Sequence, residues 1–277
     1  MIKTAFFSLV MTLFLAGMVF FGVKSYQHAL TYEKATMELV SYQSAQQQAS
    51  LKLEQFAKHL LGGLYQDDLK KNLDQIAKIQ QTSMQEAKRY TTYFMGLLLL
   101  SLVSYFFLSV RLFTLFGSLN AILTLVLGLI TPILMVTIHK QVDYLGDIVL
   151  SFESKGVIGS IIKLFDSGDI VVALVILLFS VMIPVLKVFS LLVVSLFIES
   201  KFAHGLIHFF KMIGKWSMVD VFVVAVFLVY LTANKGDISR AEVEMGLYYF
   251  LAYVIVSMLV SLSANKMLQE KRSAFSV

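Results

Sequence analysis

Two ionisable side chains lie within or beside long apolar runs of this chain. Lys187 belongs to the run FSVMIPVLKVFSLL, and Asp220 belongs to the run KWSMVDVFVVAVFLVYL. An ionisable residue inside a bilayer is costly and usually marks a functional site. An ammonium and a carboxylate at similar depth can neutralise each other, and such a pair can change state by taking up a proton. The residue types therefore predict a polar functional site inside the membrane.

Hydroxyl groups accompany these two charges at helical spacing. Ser180 precedes Lys187 by seven residues, and Ser217 precedes Asp220 by three, so each serine is expected on the same helix face as its charge. Ser257, in the last apolar run, could line the same interior. The alternative is that Asp220 only begins its helix, while Lys187 reaches lipid phosphates.

The chain's two prolines, Pro132 and Pro184, both fall inside apolar runs. Pro184 lies between Ser180 and Lys187, where it removes one backbone hydrogen bond and leaves a carbonyl to be satisfied. Asn120 lies in the same run as Pro132. Kinked helices that expose their backbone to a cavity are common in transporters, although they also occur in inert bundles.

The composition is that of a membrane protein with several spans. Of the 277 residues, 58% are apolar or aromatic and 15% are charged, with a net charge of +5 and a mean hydropathy of +0.78. A soluble domain has about 45–50% apolar and about 25% charged residues. The composition therefore excludes a soluble enzyme domain, a disordered protein and a secreted disulfide scaffold. The basic residues lie at the ends of apolar runs, which is usual in membrane proteins and does not indicate a nucleic-acid partner.

The sequence carries no constellation for catalysis or metal binding. It has no cysteine, which excludes disulfides, zinc ribbons and thiol catalysis. No nucleotide-binding loop, serine-hydrolase motif or zinc-protease motif is present,. We therefore expect a protein that is not an enzyme and that uses no metal or other cofactor.

The apolar runs predict an all-α polytopic membrane protein with about six transmembrane helices and an extramembrane helical hairpin. A backbone in lipid must satisfy its own hydrogen bonds, and about 20 residues are needed to cross the bilayer. The predicted spans are about 4–23, 92–110, 115–138, 170–198, 217–233 and 246–264. The first span is expected to be a retained anchor, with a signal peptide as the alternative. With the N-terminus in the cytoplasm, the cytoplasmic segments hold eight basic residues and the short outside loops hold five. This excess predicts that both termini lie in the cytoplasm.

Residues 25–91 differ from the rest, because they are rich in Gln, Lys, Ala and Glu and contain no proline. Their apolar positions recur at helical spacing, so they are predicted to form two antiparallel helices in the periplasm that turn near Gly62-Gly63. A solvated spacer without a ligand is the alternative. Residues 140–169 and 202–215 are predicted to form short helices at the membrane interface.

Two of these segments resemble a known signature. The run FSVMIPVLK, followed about 25 residues later by GKWSMVDVFVVA, is similar to the motif of the paraquat-inducible protein A family. The residues that carry the likeness are Pro184, Lys187, Trp216, Ser217, Met218, Asp220, Val221 and Phe222, with Pro132 and Gly168 at further family positions. The resemblance covers about residues 115–265.

The resemblance implies a function in lipid handling in the Gram-negative envelope. Such proteins lie in the inner membrane and are thought to load or extract phospholipid for a mammalian-cell-entry (MCE) domain protein that crosses the periplasm. The family's polar network corresponds here to Ser180, Lys187, Ser217 and Asp220, with Ser257 chosen as the hydroxyl of the last span. A membrane sensor, with the periplasmic hairpin as its input module, is the alternative function.

The resemblance also suggests three parts of the chain. Residues 1–114 hold the first span, the periplasmic hairpin and the second span. Residues 115–265 form the four-helix unit of the family, and residues 266–277 form a basic cytoplasmic tail. Fuller family members have two such units and four-cysteine zinc ribbons, whereas this sequence shows one unit and no cysteine.

Overall fold

The computed structural model describes residues 2–42, 66–142, 146–196 and 239–275. In chain order the elements are α1 (Ile2–Tyr42), α2 (Gln66–Val103), a 3₁₀ turn (Ser104–Phe106), α3 (Val110–Ile130), β1 (Leu134–Val142), β2 (Gly146–Lys155), α4 (Val157–Asp166), α5 (Ile170–Ile176), a π-helical segment (Leu177–Met182), α6 (Ile183–Leu196), β3 (Ser239–Val243) and α7 (Met245–Phe275). Helix dominates, as predicted.

Four helices in these ranges are long and apolar enough to cross a bilayer. They are Ala5–Tyr42, Val110–Ile130, Ile170–Leu196 and Met245–Met267. These helices correspond to the first, third, fourth and sixth predicted spans. The second predicted span, about 92–110, falls on the apolar end of α2, which stops at Val103 and is followed by the 3₁₀ turn. The fifth predicted span lies outside the described residues, so a count of about six stays a prediction.

Helices α1 and α2 pack against each other in antiparallel fashion. The Oγ of Ser25 and the Oγ1 of Thr91 are 2.7 Å apart, and Nε2 of Gln80 donates to Oγ1 of Thr36 at 2.9 Å. α1 is one helix of 41 residues, about 60 Å long at 1.5 Å per residue. It therefore continues without interruption from its apolar half into its polar half. The predicted turn near Gly62-Gly63 lies outside the described residues.

The third span ends earlier than predicted. The expected helix over about 115–138 is α3, which begins at Val110 and ends at Ile130. Thr131 is extended, with φ −78° and ψ 142°, because a residue that precedes proline is disfavoured in the α conformation. Pro132 therefore lies at a junction between a helix and a strand rather than inside a span.

A small antiparallel sheet makes the prediction of an all-α fold wrong in this part of the chain. The strand order is β2-β1-β3, and Leu134 of β1 pairs with both Lys155 of β2 and Val243 of β3. Residues 140–142 and 146–155, which lie in a segment predicted to form interfacial helices, belong to these strands. The local pattern could not reveal the sheet, since the partner strand β3 follows about a hundred residues later.

Helix α4 is the part of the predicted interfacial segment that is helical. Ile161 is buried, whereas Ile158 and Ile162 are exposed, and Lys163 lies in the last turn. The chain then turns at Gly168, whose φ of +86° favours glycine,. The exposed isoleucines give α4 an apolar face that suits a membrane interface.

The sheet is joined closely to the ends of α3 and α7. The N–H of Glu244 donates to the carbonyl of Ile133 at 2.9 Å, and the N–H of Gly246 donates to the carbonyl of Pro132 at 2.8 Å. A Cβ atom at Gly246 would collide with the carbonyl oxygens of Thr131 and Pro132. Glycine is therefore required there by a close approach of two backbones.

One apolar core joins α1 and α2 to α3, α6 and α7. Phe94 of α2 meets Tyr249 of α7 edge-on, with ring centroids 5.0 Å apart. A Cβ atom at Gly22 of α1 would touch the side chain of Leu127 of α3. The N-terminal helices thus pack directly on the region that resembles the family unit, while the division of the chain at residue 114 stays a prediction.

Candidate intramembrane polar site

The candidate site is built around Lys187, a buried charged residue. It lies in α6 and is only 2% exposed. Its Nζ donates a hydrogen bond to the Oγ of Ser257, on α7, at 3.0 Å. The Ser257 hydroxyl in turn donates to the carbonyl of Val254 at 3.0 Å. A serine hydroxyl can accept and donate at once, so Ser257 links the lysine of one helix to the backbone of another.

The site lies near the middle of the membrane span. Ser257 is twelve residues after Met245 and ten before Met267, the bounds of the apolar part of α7. At 1.5 Å per residue it lies about 15–18 Å from either end. A charged side chain at that depth costs about 2.5–3.5 kcal/mol on insertion scales, so its retention there calls for a functional reason.

A π-helical segment precedes Lys187 in the fourth span. The N–H of Ile183 donates to the carbonyl of Leu178, five residues earlier, which is the π pattern rather than the α pattern. Ser180 lies half-buried within this segment, and Pro184 is buried directly after it. Pro184 has no N–H to give to the carbonyl of Ser180, and widening of the helix is one way to adjust to that loss. Such π segments are frequent at functional sites.

Several predicted site residues fall outside the described ranges. Trp216, Ser217, Met218 and Asp220 belong to residues 197–238. The pairing of Lys187 with Asp220 therefore stays a prediction. Among the predicted residues that the structure describes, Lys187 and Ser257 are in direct contact, and Ser180 and Pro184 lie earlier in the same span.

A second polar contact inside the bundle joins α2 to α3. Nδ2 of Asn120 donates to the Oγ of Ser101 at 2.5 Å, and both residues are 2% exposed. Asn120 could be noticed in the sequence as an amide in an apolar run. Nothing in the sequence distinguished Ser101 as a contact residue, because serine and threonine are ordinary in membrane helices.

Hydroxyl pairs elsewhere in the bundle are of a simpler kind. The Oγ1 of Thr114, on α3, and the Oγ of Ser263, on α7, are 3.0 Å apart. Thr114 also donates to the carbonyl of Val110 in its own helix.

Within the described ranges, no group of three or more His, Asp or Glu residues is placed to hold a metal ion.

Comparison with known proteins identifies the region that contains this site. The family model described as paraquat-inducible protein A matches residues 114–269, more than half of the chain. A relative from Haemophilus influenzae, described as a probable intermembrane transport protein, is 32% identical over 108 residues, which are 37% of this chain and 26% of the relative. This chain thus spans about a quarter of the length of that relative. No solved structure matches. The extent of the family match shows that this chain belongs to the paraquat-inducible protein A family.

Proposed function

We propose that this protein is an inner-membrane subunit of an envelope lipid-transport system, which passes phospholipid to or from an MCE-domain partner in the periplasm. Family membership and a relative described as a probable intermembrane transport protein support a role in membrane transport. The observation that carries the proposal is the buried Lys187, which donates a hydrogen bond to Ser257 near the middle of the bundle. The protein is not an enzyme in this scheme, because it moves a lipid without changing a bond.

Lys187 is the group that would recognise the lipid. A phosphodiester is the anionic group that phospholipids share, and hydrogen bonds between an ammonium and a phosphate are roughly twice as strong as neutral ones. Ser257 keeps a bond to the carbonyl of Val254, so its hydroxyl is already fixed when the lysine turns toward a headgroup. The phosphate would take the place of the serine oxygen as acceptor for the lysine.

Asp220 would control the cycle by its protonation. With Asp220 charged, its carboxylate pairs with Lys187 and competes with the lipid phosphate. With Asp220 protonated, that attraction is lost and Lys187 turns to the phosphate. Loss of the proton then restores the ion pair and releases the headgroup. Lipid movement would in this way be coupled to the proton gradient.

The ends of the bundle suggest where the partner binds. α2 and α3 are joined by a short turn, so they run antiparallel, and the polar halves of α1 and α2 emerge at the end of the bundle where α3 leads into the sheet. We assign this end to the periplasm and both termini to the cytoplasm. The sheet and the helix pair would then offer adjoining surfaces to an MCE-domain protein.

The test is complementation in cells that lack the gene. Lys187→Ala and Asp220→Asn should each abolish lipid transport while the protein remains in the membrane at normal level. Lys266→Ala is the matched control, since Lys266 is an exposed lysine of α7. Full activity of Asp220→Asn would overturn proton coupling, and full activity of Lys187→Ala would overturn the lipid site itself.

A sensor is the second candidate, and one observation favours it. α1 and α2 run as single helices from their apolar halves into their polar halves, so a displacement outside the bilayer can be carried into it. A sensor would need the helix pair but not the buried lysine. Normal function of Lys187→Ala, together with loss of function when residues 43–65 are replaced by a short linker, would favour the sensor.

A further inference from the structure

The contact between Ser101 and Asn120 crosses the boundary of the family match. Ser101 belongs to α2, which lies before the matched residues 114–269, whereas Asn120 lies inside them. The amide nitrogen and the serine oxygen are 2.5 Å apart, and both side chains are buried. The N-terminal helix pair thus supplies a polar partner to the interior of the family unit.

This contact lies at the same depth as the lysine site. The hydroxyls of Thr114 and Ser263 meet at 3.0 Å where α3 and α7 pack in antiparallel fashion. Asn120 lies six residues after Thr114 on α3, and Ser257 lies six residues before Ser263 on α7. The close approach of Gly117 to Val260, midway between the two levels, follows the same register. Asn120 is therefore level with the serine that holds Lys187.

The asparagine at position 120 indicates a specific contact between helices more strongly than a serine or threonine would. Three neighbours of Asn120 on α3, namely Thr114, Ser118 and Thr124, donate their hydroxyl hydrogen to a carbonyl of their own helix. An asparagine side chain has two donors and two acceptor positions, which it cannot satisfy in that way. A single buried asparagine between helices commonly fixes their register at a cost in stability.

We propose that Ser101 and Asn120 are positioning residues of the lipid site. They form, with Ser257 and Lys187, one polar layer that runs from α2 through α3 and α7 to α6. The hydrogen bond from Asn120 to Ser101 fixes the position of α3 along the bundle axis. Because α7 packs against α3, this bond also fixes the position of Ser257. The N-terminal helix pair is on this inference a component of the transport site. The inference rests on the proposed function, because it assigns a role toward the lipid that Lys187 holds.

The experiment measures binding of phosphatidylglycerol with a fluorescent acyl chain to the purified full chain in detergent. Ser101→Ala should weaken binding about threefold, in line with the modest strength of interhelical hydrogen bonds in membrane proteins, and should shift the pH at which the lipid is half-released. Ser101→Thr, which keeps the hydroxyl, should restore both values. Ser263→Ala is the matched control, because it removes a buried hydroxyl from the same bundle six residues away from Ser257.

A double variant separates positioning from simple loss of stability. Asn120→Leu with Ser101→Ala should bind no more weakly than either single variant, since both changes remove the same bond. The inference is overturned if Ser101→Ala matches Ser263→Ala in affinity and pH of release while Lys187→Ala loses the lipid. If Lys187→Ala binds the lipid normally, the proposed function fails, and the inference fails with it.

Discussion

The helix pair of α1 and α2 and the bundle of α3, α6 and α7 satisfy their polar groups in different ways. Between α1 and α2, two of the buried hydroxyls make a hydrogen bond within their own helix. Thr91 donates to the carbonyl of Ala87 and Thr36 donates to the carbonyl of Tyr32, both at 2.8 Å and both within one helix. Their contacts with the partner helix come in addition to these bonds. These two threonines therefore do not depend on a contact with the partner helix.

The bundle of α3, α6 and α7 holds polar groups that a single helix cannot satisfy. Lys187 reaches across to Ser257, and Asn120 reaches across to Ser101. A lysine ammonium has three donors and no acceptor, so it needs acceptors on other elements. The comparison teaches that hydroxyls in a span are compatible with a purely structural role. Lysine and asparagine depend on particular neighbours and are therefore the stronger candidates for a function.

The largest expected effect is on the bundle and follows from Gly246. Gly246→Ala would force a Cβ atom onto the carbonyl oxygens of Thr131 and Pro132, and the backbone would have to separate the sheet from α7. Overpacking of this kind costs about 1–3 kcal/mol, and here it also removes the bond from Gly246 to Pro132. We expect little folded protein, measured as the fraction that stays monodisperse after extraction from the membrane.

Gly159→Ala is the matched control for this prediction. Gly159 lies in α4, and in the described part of the chain no atom beyond its chain neighbours and the backbone of its own helix lies within 4 Å of the position that its Cβ would take. Alanine in an open helical position is favoured over glycine by about 0.5–1 kcal/mol. The control should therefore be folded at wild-type level or better. A normal yield of Gly246→Ala would show that the junction between sheet and helices is looser than the structure indicates.

The next largest effect separates function from stability at Lys187. Lys187→Met keeps a side chain of similar length but has no charge to bury. Ser257 retains its bond to the carbonyl of Val254. In the proposed pairing, the carboxylate of Asp220 would neutralise by taking up a proton. We expect transport to be lost, while the Tm of the purified protein stays the same or rises. A large fall in Tm would instead assign Lys187 to the structural groups and remove the contrast between the two regions.

The membrane spans were the part of the fold that the sequence could predict best. Long apolar runs have few alternatives in lipid, so α1, α3, the helix over 170–196 and α7 agree with predicted spans. The segment that includes Pro132 was predicted wrongly because the apolar run continues into β1 without a change in composition. Strand pairing depends on β3, which is distant in the chain, and no local pattern reveals a distant partner.

The candidate site was predictable by residue type and less so by geometry. Lys187 stands out in any apolar run, and its contact with Ser257 agrees with the choice of Ser257 as the hydroxyl of the last span. Ser101 could not be found, since nothing distinguishes it from other serines in membrane helices. Its role becomes visible only when Asn120 is seen to reach it.

The smallest expected effect tests the comparison from the side of α1 and α2. In Ser25→Ala the partner Thr91 keeps its bond to the carbonyl of Ala87, so no buried donor is left without an acceptor. Interhelical hydrogen bonds in membrane proteins average about 0.6 kcal/mol, and we expect a loss of that order in the free energy of unfolding. Ser101→Ala removes the acceptor of Asn120, and a buried donor left without a partner costs about 1–3 kcal/mol. Unfolding both variants in the same mixed micelles measures the difference directly. Equal losses would show that the two regions handle their polar groups alike, and the distinction between a self-satisfied helix pair and a dependent bundle would fall.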